Sequence, residues 1–219
     1  MTRSRRRRHD PGRRRLVSFS RRGSRHDGLT LVEIAVALAV LAIVAAVGLP
    51  PLARSLAALR LELAASEVAS TLRLARSLAL RRGAGVAVRF EVASTGTVRF
   101  TAYRDGDGDG VRNADIADGT DPQELPTRRL TSLGRDIRFG FPPIPDLVDP
   151  AGRRLDRLQD PVRFNRSNLA SFGPAGTATP GTVYLTDGVR RLVAVRITSR
   201  SGRIRVLRYE PERRRWRIV

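Results

Sequence analysis

Twenty consecutive residues, 34–53, carry no charge, and that run constrains the chain more than any other feature. As a helix rising about 1.5 Å per residue it would be about 30 Å long, the thickness of a hydrocarbon core. Ten of the twenty are Leu, Ile or Val, worth about −3 to −6 kcal/mol of insertion free energy in total. The flank before the run holds 11 Arg and 2 Asp within residues 1–28. Such a flank predicts an N-terminus that stays cytoplasmic and a chain that is exported after Ala53. An ordinary secretory signal would need a small-x-small cleavage site after the run. The Ala35-Val36-Ala37 and Ala37-Leu38-Ala39 triplets lie inside it instead. A plain signal anchor remains the competing reading.

Glu33 stands at the mouth of this run, where a carboxylate is costly and usually has a function. Its setting is Gly28-Leu29-Thr30-Leu31-Val32-Glu33, directly after the basic stretch. This resembles the prepilin peptidase site of type IV pilins and type II secretion pseudopilins. The resemblance implies cleavage between Gly28 and Leu29, N-methylation of Leu29, and pairing of Glu33 with a neighbouring subunit's N-terminal amine. Leu29 departs from the Phe more usual at that place. A buried carboxylate needs an opposite charge, so the pairing has a physical basis.

Beyond the run, Leu61, Ala65, Val68, Leu72, Ala75 and Ala79 recur at spacings of 4, 3, 4, 3 and 4, an amphipathic stripe. Arg81-Arg82-Gly83 supplies last-turn cations and a C-cap glycine. Gly48-Leu49-Pro50-Pro51 is expected to kink or locally melt the helix. After Gly83 the pattern turns β-like. Residues 85–92 and 96–103, around Ala93-Ser94-Thr95, predict a hairpin. Further strands are expected at 182–185, 191–198, 204–209 and 215–219, and the proline-rich stretch 140–161 reads as loop.

The class predicted is α+β: a long N-terminal helix, membrane-spanning in its first half, packed on an antiparallel β-sheet head. The divisions expected are a basic leader at 1–28, cleaved; a helix at 29–82, transmembrane at about 31–53; and a periplasmic β-rich head at 83–219. Phe172-Gly173-Pro174-Ala175-Gly176, Pro180-Gly181-Thr182-Val183 and Ser201-Gly202-Arg203-Ile204-Arg205 resemble the GspH/FimT family of minor pseudopilins and pilins. That resemblance implies a minor pseudopilin of type II secretion or a related type IV pilus filament. Its implied partners are other pilin or pseudopilin subunits, prepilin peptidase and the inner membrane.

Composition argues against an enzyme. The chain has no Cys, all 41 of its basic residues are Arg, and both His, His9 and His26, lie in the leader. A processed chain would lack Ser-His and Cys-His pairs, Schiff-base lysines and His-ligated zinc. No cofactor is required. Two local motifs suggest ligands. Asp105-Gly106-Asp107-Gly108-Asp109-Gly110 resembles the start of an EF-hand-type calcium loop, with Asn113 at the ninth position. Ile116 holds the twelfth position where Glu is expected; Asp115, Asp118 or Asp121 could close the shell. The alternative is a solvated acidic turn. The net charge of +20 leaves +10 in residues 161–219, which invites DNA. Gly202-Arg203-Ile204-Arg205 matches a Gly-Arg-x-Arg element of some FimT-like DNA-uptake pilins. Arg203 and Arg205, with Arg208 nearby, are therefore candidate phosphate ligands, against a merely solvated cationic face.

Overall fold

A computed structural model describes residues 30–92, 98–130, 137–165 and 167–219. Gly28, Leu29 and the predicted turn at Ala93-Ser94-Thr95 lie outside these. The chain divides into two compact units, Met1–Ala46 and Val47–Val219. Helix α1 (Leu31–Arg82) begins in the first and ends in the second. In the first unit its large apolar side chains, from Leu31 through Val44, are all exposed. Among the described residues nothing covers them, as expected of a segment whose solvent is lipid.

The expectation of a melted turn at Gly48-Leu49-Pro50-Pro51 is corrected: α1 stays helical through all four residues. Each proline forfeits one intrahelical bond, and the Leu- and Ala-rich flanks, strong helix formers, carry the helix across. The Ser55 hydroxyl donates to the Pro51 carbonyl at 3.1 Å.

In the second unit, all six residues of the predicted stripe are buried, together with Ala64 and Ala69. Five of these eight positions are alanine, so the helix can lie close against the sheets. The head is built of two antiparallel sheets. The first has the order β3 (Gln123–Arg129), β2 (Val98–Arg104), β1 (Val86–Val92), β6 (Leu169–Phe172). Its β1–β2 pairing runs from Val86 opposite Arg104 to Val92 opposite Val98. The second has the order β10 (Arg215–Ile218), β9 (Ile204–Glu210), β8 (Leu192–Ile197), β7 (Gly181–Thr186), β4 (Arg138–Phe139), with β5 (Val162–Arg163) also paired to β7.

The two sheets and the helix share one core. Val86, Val88 and Phe90 of β1, Phe100 of β2, Val183 and Leu185 of β7, and Val193 and Val195 of β8 join the α1 stripe in it. Phe90 is its hub, with ring centroids 6.1 Å from Phe100, 5.7 Å from Phe139 and 5.9 Å from Phe164. The proline-rich stretch does more than connect. Phe141, Ile144, Leu147, Val148 and Leu155 pack over Tyr184, Leu192, Leu207 and Tyr209 on the outer face of the second sheet. Trp216 joins this second core and donates its indole N–H to the Val148 carbonyl at 2.9 Å. Burial pushes the Tyr184 phenol up to about 12.

Candidate functional site

The start of α1 is a reciprocal cap. Thr30 precedes the first helical residue, and Glu33 is the third residue of the helix. The Thr30 backbone N–H and hydroxyl both donate to Glu33 Oε2 at 2.9 Å. The Glu33 N–H donates to Thr30 Oγ1 at 3.2 Å. This is a capping box, satisfying backbone donors that a helix start leaves bare. Glu33 thus has a local role besides the one its motif implies. Thr30 is a functional residue missed in the sequence, although Thr-x-x-Glu before an apolar run is its signature. Among the described residues Glu33 Oε1 has no partner.

The acidic loop leaves β2 after Arg104 and returns to β3 through the short helix α2 (Asn113–Asp118). The Asp105, Asp107 and Asp109 carboxylates each offer an oxygen within 4.8 Å of the others. Two oxygens on opposite sides of a calcium ion, each at about 2.4 Å, would be about that far apart, so the spacing fits a hard cation. Asp105 is shaped by its own loop: Oδ1 accepts the Gly108 N–H at 2.7 Å and Oδ2 that of Gly110 at 3.0 Å. Gly110 has a φ of 95°, a left-handed conformation that a side chain would strain.

Of the three carboxylates that could close the shell, none belongs to the close group of Asp105, Asp107 and Asp109, and Asp115 differs from Asp121 in having an uncommitted oxygen. Asp115 Oδ2 is buried without a hydrogen-bond partner. Burial, then the Asp121, Asp107 and Asp118 charges, push its carboxyl up. Burial likewise raises Asp109, against the Arg112 guanidinium, which closes on Asp109 Oδ2. Asp121 is committed elsewhere. Buried, it accepts the Gly106 N–H at 3.0 Å and the Arg112 N–H at 2.9 Å, stapling the two ends of the loop. Asp118 accepts the Thr120 N–H at 2.9 Å. Asn113 is exposed at the first position of α2.

The basic residues of β9 divide between two faces. Arg208 points to the helix side and ion-pairs with Glu62 at 2.7 Å, which corrects its grouping with Arg203 and Arg205. Strand alternation separates it from Arg205 by an odd number of residues. Arg205 lies directly opposite Arg196 of β8. Like charges facing across a ladder are unfavourable, and among the described residues neither has a carboxylate partner. Arg203 is exposed just before β9.

The family model of Type II transport protein GspH matches residues 64–206, two-thirds of the chain. The chain belongs to the GspH family. The Prokaryotic N-terminal methylation motif matches residues 23–49, bracketing Gly28, Leu29 and Glu33. No curated protein matches this GspH-family chain in sequence. Two solved structures of the minor pseudopilin EpsH from the type II secretion system of Vibrio cholerae are similar to it, each at 16% identity. One has a TM-score of 0.42 and covers 68% of this chain and 97% of its own; the other has 0.41, with 67% and 92%.

Proposed function

We propose that the chain is a minor pseudopilin of type II secretion, a structural subunit and not an enzyme. It is made with a basic leader, cut between Gly28 and Leu29 by prepilin peptidase, and N-methylated on Leu29. It is anchored in the inner membrane by the start of α1, with its head periplasmic, and is extracted into a filament with other pseudopilin subunits. One observation carries this reading: a methylation motif at 23–49 and a GspH match at 64–206 meet on one helix, whose first 20 or so residues are apolar and exposed. In a filament, Glu33 Oε1 would meet a neighbour's N-terminal amine while Oε2 keeps the cap. The decisive experiment is mass spectrometry of the mature N-terminus in cells with and without prepilin peptidase. A methylated Leu29 that depends on the peptidase supports the proposal; a terminus beyond Val47 contradicts it.

A second reading, a FimT-like minor pilin that binds DNA during uptake, is favoured by the facing pair Arg196 and Arg205, with Arg203 exposed two positions before Arg205 in the chain. An anion between them would relieve their repulsion. Its test is the salt dependence of duplex binding.

The acidic loop is proposed as a weak calcium site held by Asp105, Asp107, Asp109 and Asp115, with Asn113 at its rim. The unpartnered Asp115 oxygen supports this assignment. Calcium there would tie the loop and α2 to the end of β2, a stabilising role.

A further inference from the structure

The last turns of α1 and the turn joining β8 to β9 enclose a cleft of about 640 Å³. Arg73, Arg76 and Arg81 line it from the helix and Arg203 from the turn, with Leu80 and Ile204 as apolar walls. No Asp or Glu lines it, and among the described residues none of the four arginines has a carboxylate partner. Other arginines of the head do find one: Arg82 and Arg104 share Glu124, Arg128 reaches Glu67, and Arg208 reaches Glu62. The cleft therefore concentrates positive charge that the fold leaves unneutralised.

Arg76 sharpens the case. Its Nε is buried and has no hydrogen-bond partner. A buried N–H left without an acceptor costs free energy, the more so on a cation. The guanidinium is admitted by Gly202, where a Cβ would stand 2.8 Å from Arg76 Nε. Gly202 has a φ of 71° and donates its N–H to the Ser199 carbonyl at 3.0 Å, closing the turn. The turn is thus cut back to seat a cation that no described residue neutralises.

We infer that this cleft docks an acidic segment of a partner protein, its Asp or Glu carboxylates taken by the exposed Arg73, Arg81 and Arg203 guanidiniums beside the half-buried Arg76. A carboxylate matches the planar guanidinium fork and can be bound by two N–H groups at once. The exposed Leu80 and half-buried Ile204 suit an apolar neighbour in the same segment. Duplex phosphates would call for a row of arginines without the apolar Leu80 and Ile204 between them. The inference stands apart from the filament reading, because it rests on the cleft and not on processing or assembly.

The test is fluorescence anisotropy with the detergent-solubilised full chain and a short labelled peptide of Glu, Leu and Gly, its Gln analogue, and a short duplex DNA. The Glu peptide should bind and the Gln analogue should not. Arg76→Gln, which removes one of the four positive charges lining the cleft, should weaken binding about tenfold. Arg73→Gln with Arg203→Gln, both exposed and safe for the fold, should do at least as much. Arg217→Gln, the same change of charge outside the cleft, should have little effect. If Arg217→Gln weakens the peptide as much as Arg76→Gln, the attraction is only net charge and the proposal falls. It falls equally if duplex DNA binds more tightly than the peptide and loses its affinity in the same cleft variants.

Discussion

Thr30 and Glu33 hold one another at the start of α1, each accepting a hydrogen bond from the other. The Thr30 N–H belongs to the Leu29–Thr30 amide, so cleavage one bond earlier leaves the cap intact. The proposed cleavage would create a cationic amine at the positive end of the helix dipole, an unfavourable placement unless an anion lies close. Glu33 is within the first turn and can serve both needs through its two oxygens.

That dual role separates two substitutions. Glu33→Gln keeps an oxygen to accept from Thr30 but has no charge; Glu33→Ala has neither. On the processing proposed at Gly28, both chains should be cleaved and inserted normally. Both should fail to enter filaments, measured by co-purification with other subunits. Amide exchange at the first turn should rise only in the Ala chain. Wild-type incorporation of Glu33→Gln would reduce the role of Glu33 to capping.

If the chain is cut after Gly28 as proposed, Gly28→Ala should leave the full-length precursor in the membrane. Intact-mass measurement checks it. A mature species of unchanged mass would remove the assigned site.

Much of this architecture is legible in the sequence because its signals are local. The uncharged run, the spacing of Leu61 through Ala79 and the alternation in Val193, Val195 and Ile197 all report one element's own period. β3 and β6 give no such signal. Its half-buried side chains, Glu124 and Leu125, are adjacent and the other five, Pro126 included, are exposed, so β3 carries no apolar alternation. β6 is four residues long and gains its place only by pairing with β1, more than 75 positions earlier in the chain. The prolines of 140–161 predict a loop, and the segment has that form. That it covers a second core around Tyr184 follows from tertiary packing, which spacing cannot report. At the acidic loop, spacing leaves three carboxylates able to close the shell. Hydrogen bonding sets Asp121, spent on two backbone N–H groups, apart from Asp115, whose Oδ2 has no partner.

The β7–β8 turn makes stability depend on acid pH. Burial pushes the Asp187 carboxyl up, but N–H groups of Arg191, Val189 and Arg190 at 2.9–3.0 Å and the Arg191 guanidinium outweigh it and hold the carboxyl below its ordinary 3.8. Asp149 is depressed in the same way by Arg153 and Ala151. A depressed carboxyl binds protons less readily folded than unfolded. Its stabilisation is therefore full above about pH 4 and is lost as pH falls through the folded value. Asp187→Asn should lower stability at neutral pH by about 1 kcal/mol and make the acid limb shallower. Circular-dichroism melts from pH 7 to pH 3 would show both effects; an unchanged acid limb would count against them.

Calcium binding should make two substitutions cross over. A cation that binds only the folded head stabilises it by about 2.7 kcal/mol at a hundredfold excess over Kd. The full chain should melt higher in calcium than in chelator. Asp107→Ala should abolish the difference. Asp115→Asn removes a carboxylate crowded by Asp121, Asp107 and Asp118, so it should melt higher than wild type in chelator and lower in calcium. Identical wild-type melts in both conditions would reduce the loop to a solvated acidic turn.

The pseudopilin and DNA-uptake readings part at β9. If Arg203 and Arg205 contact phosphates, duplex affinity should fall with salt at a log–log slope of roughly −4 to −5 for about four to six contacts. It should be indifferent to sequence, because phosphate contacts position a protein without reading bases. Arg203→Gln with Arg205→Gln would then flatten the slope by about two units. The geometry limits how far this can go. Arg208 is held by Glu62 on the other face, so the open set is Arg203, Arg205 and the facing Arg196. For a secretion pseudopilin the expected result is weak DNA binding in which this pair matters no more than Arg190→Gln with Arg191→Gln, changed at the far end of β8. A flattening confined to the Arg203 and Arg205 pair would overturn that expectation and assign the basic face to DNA.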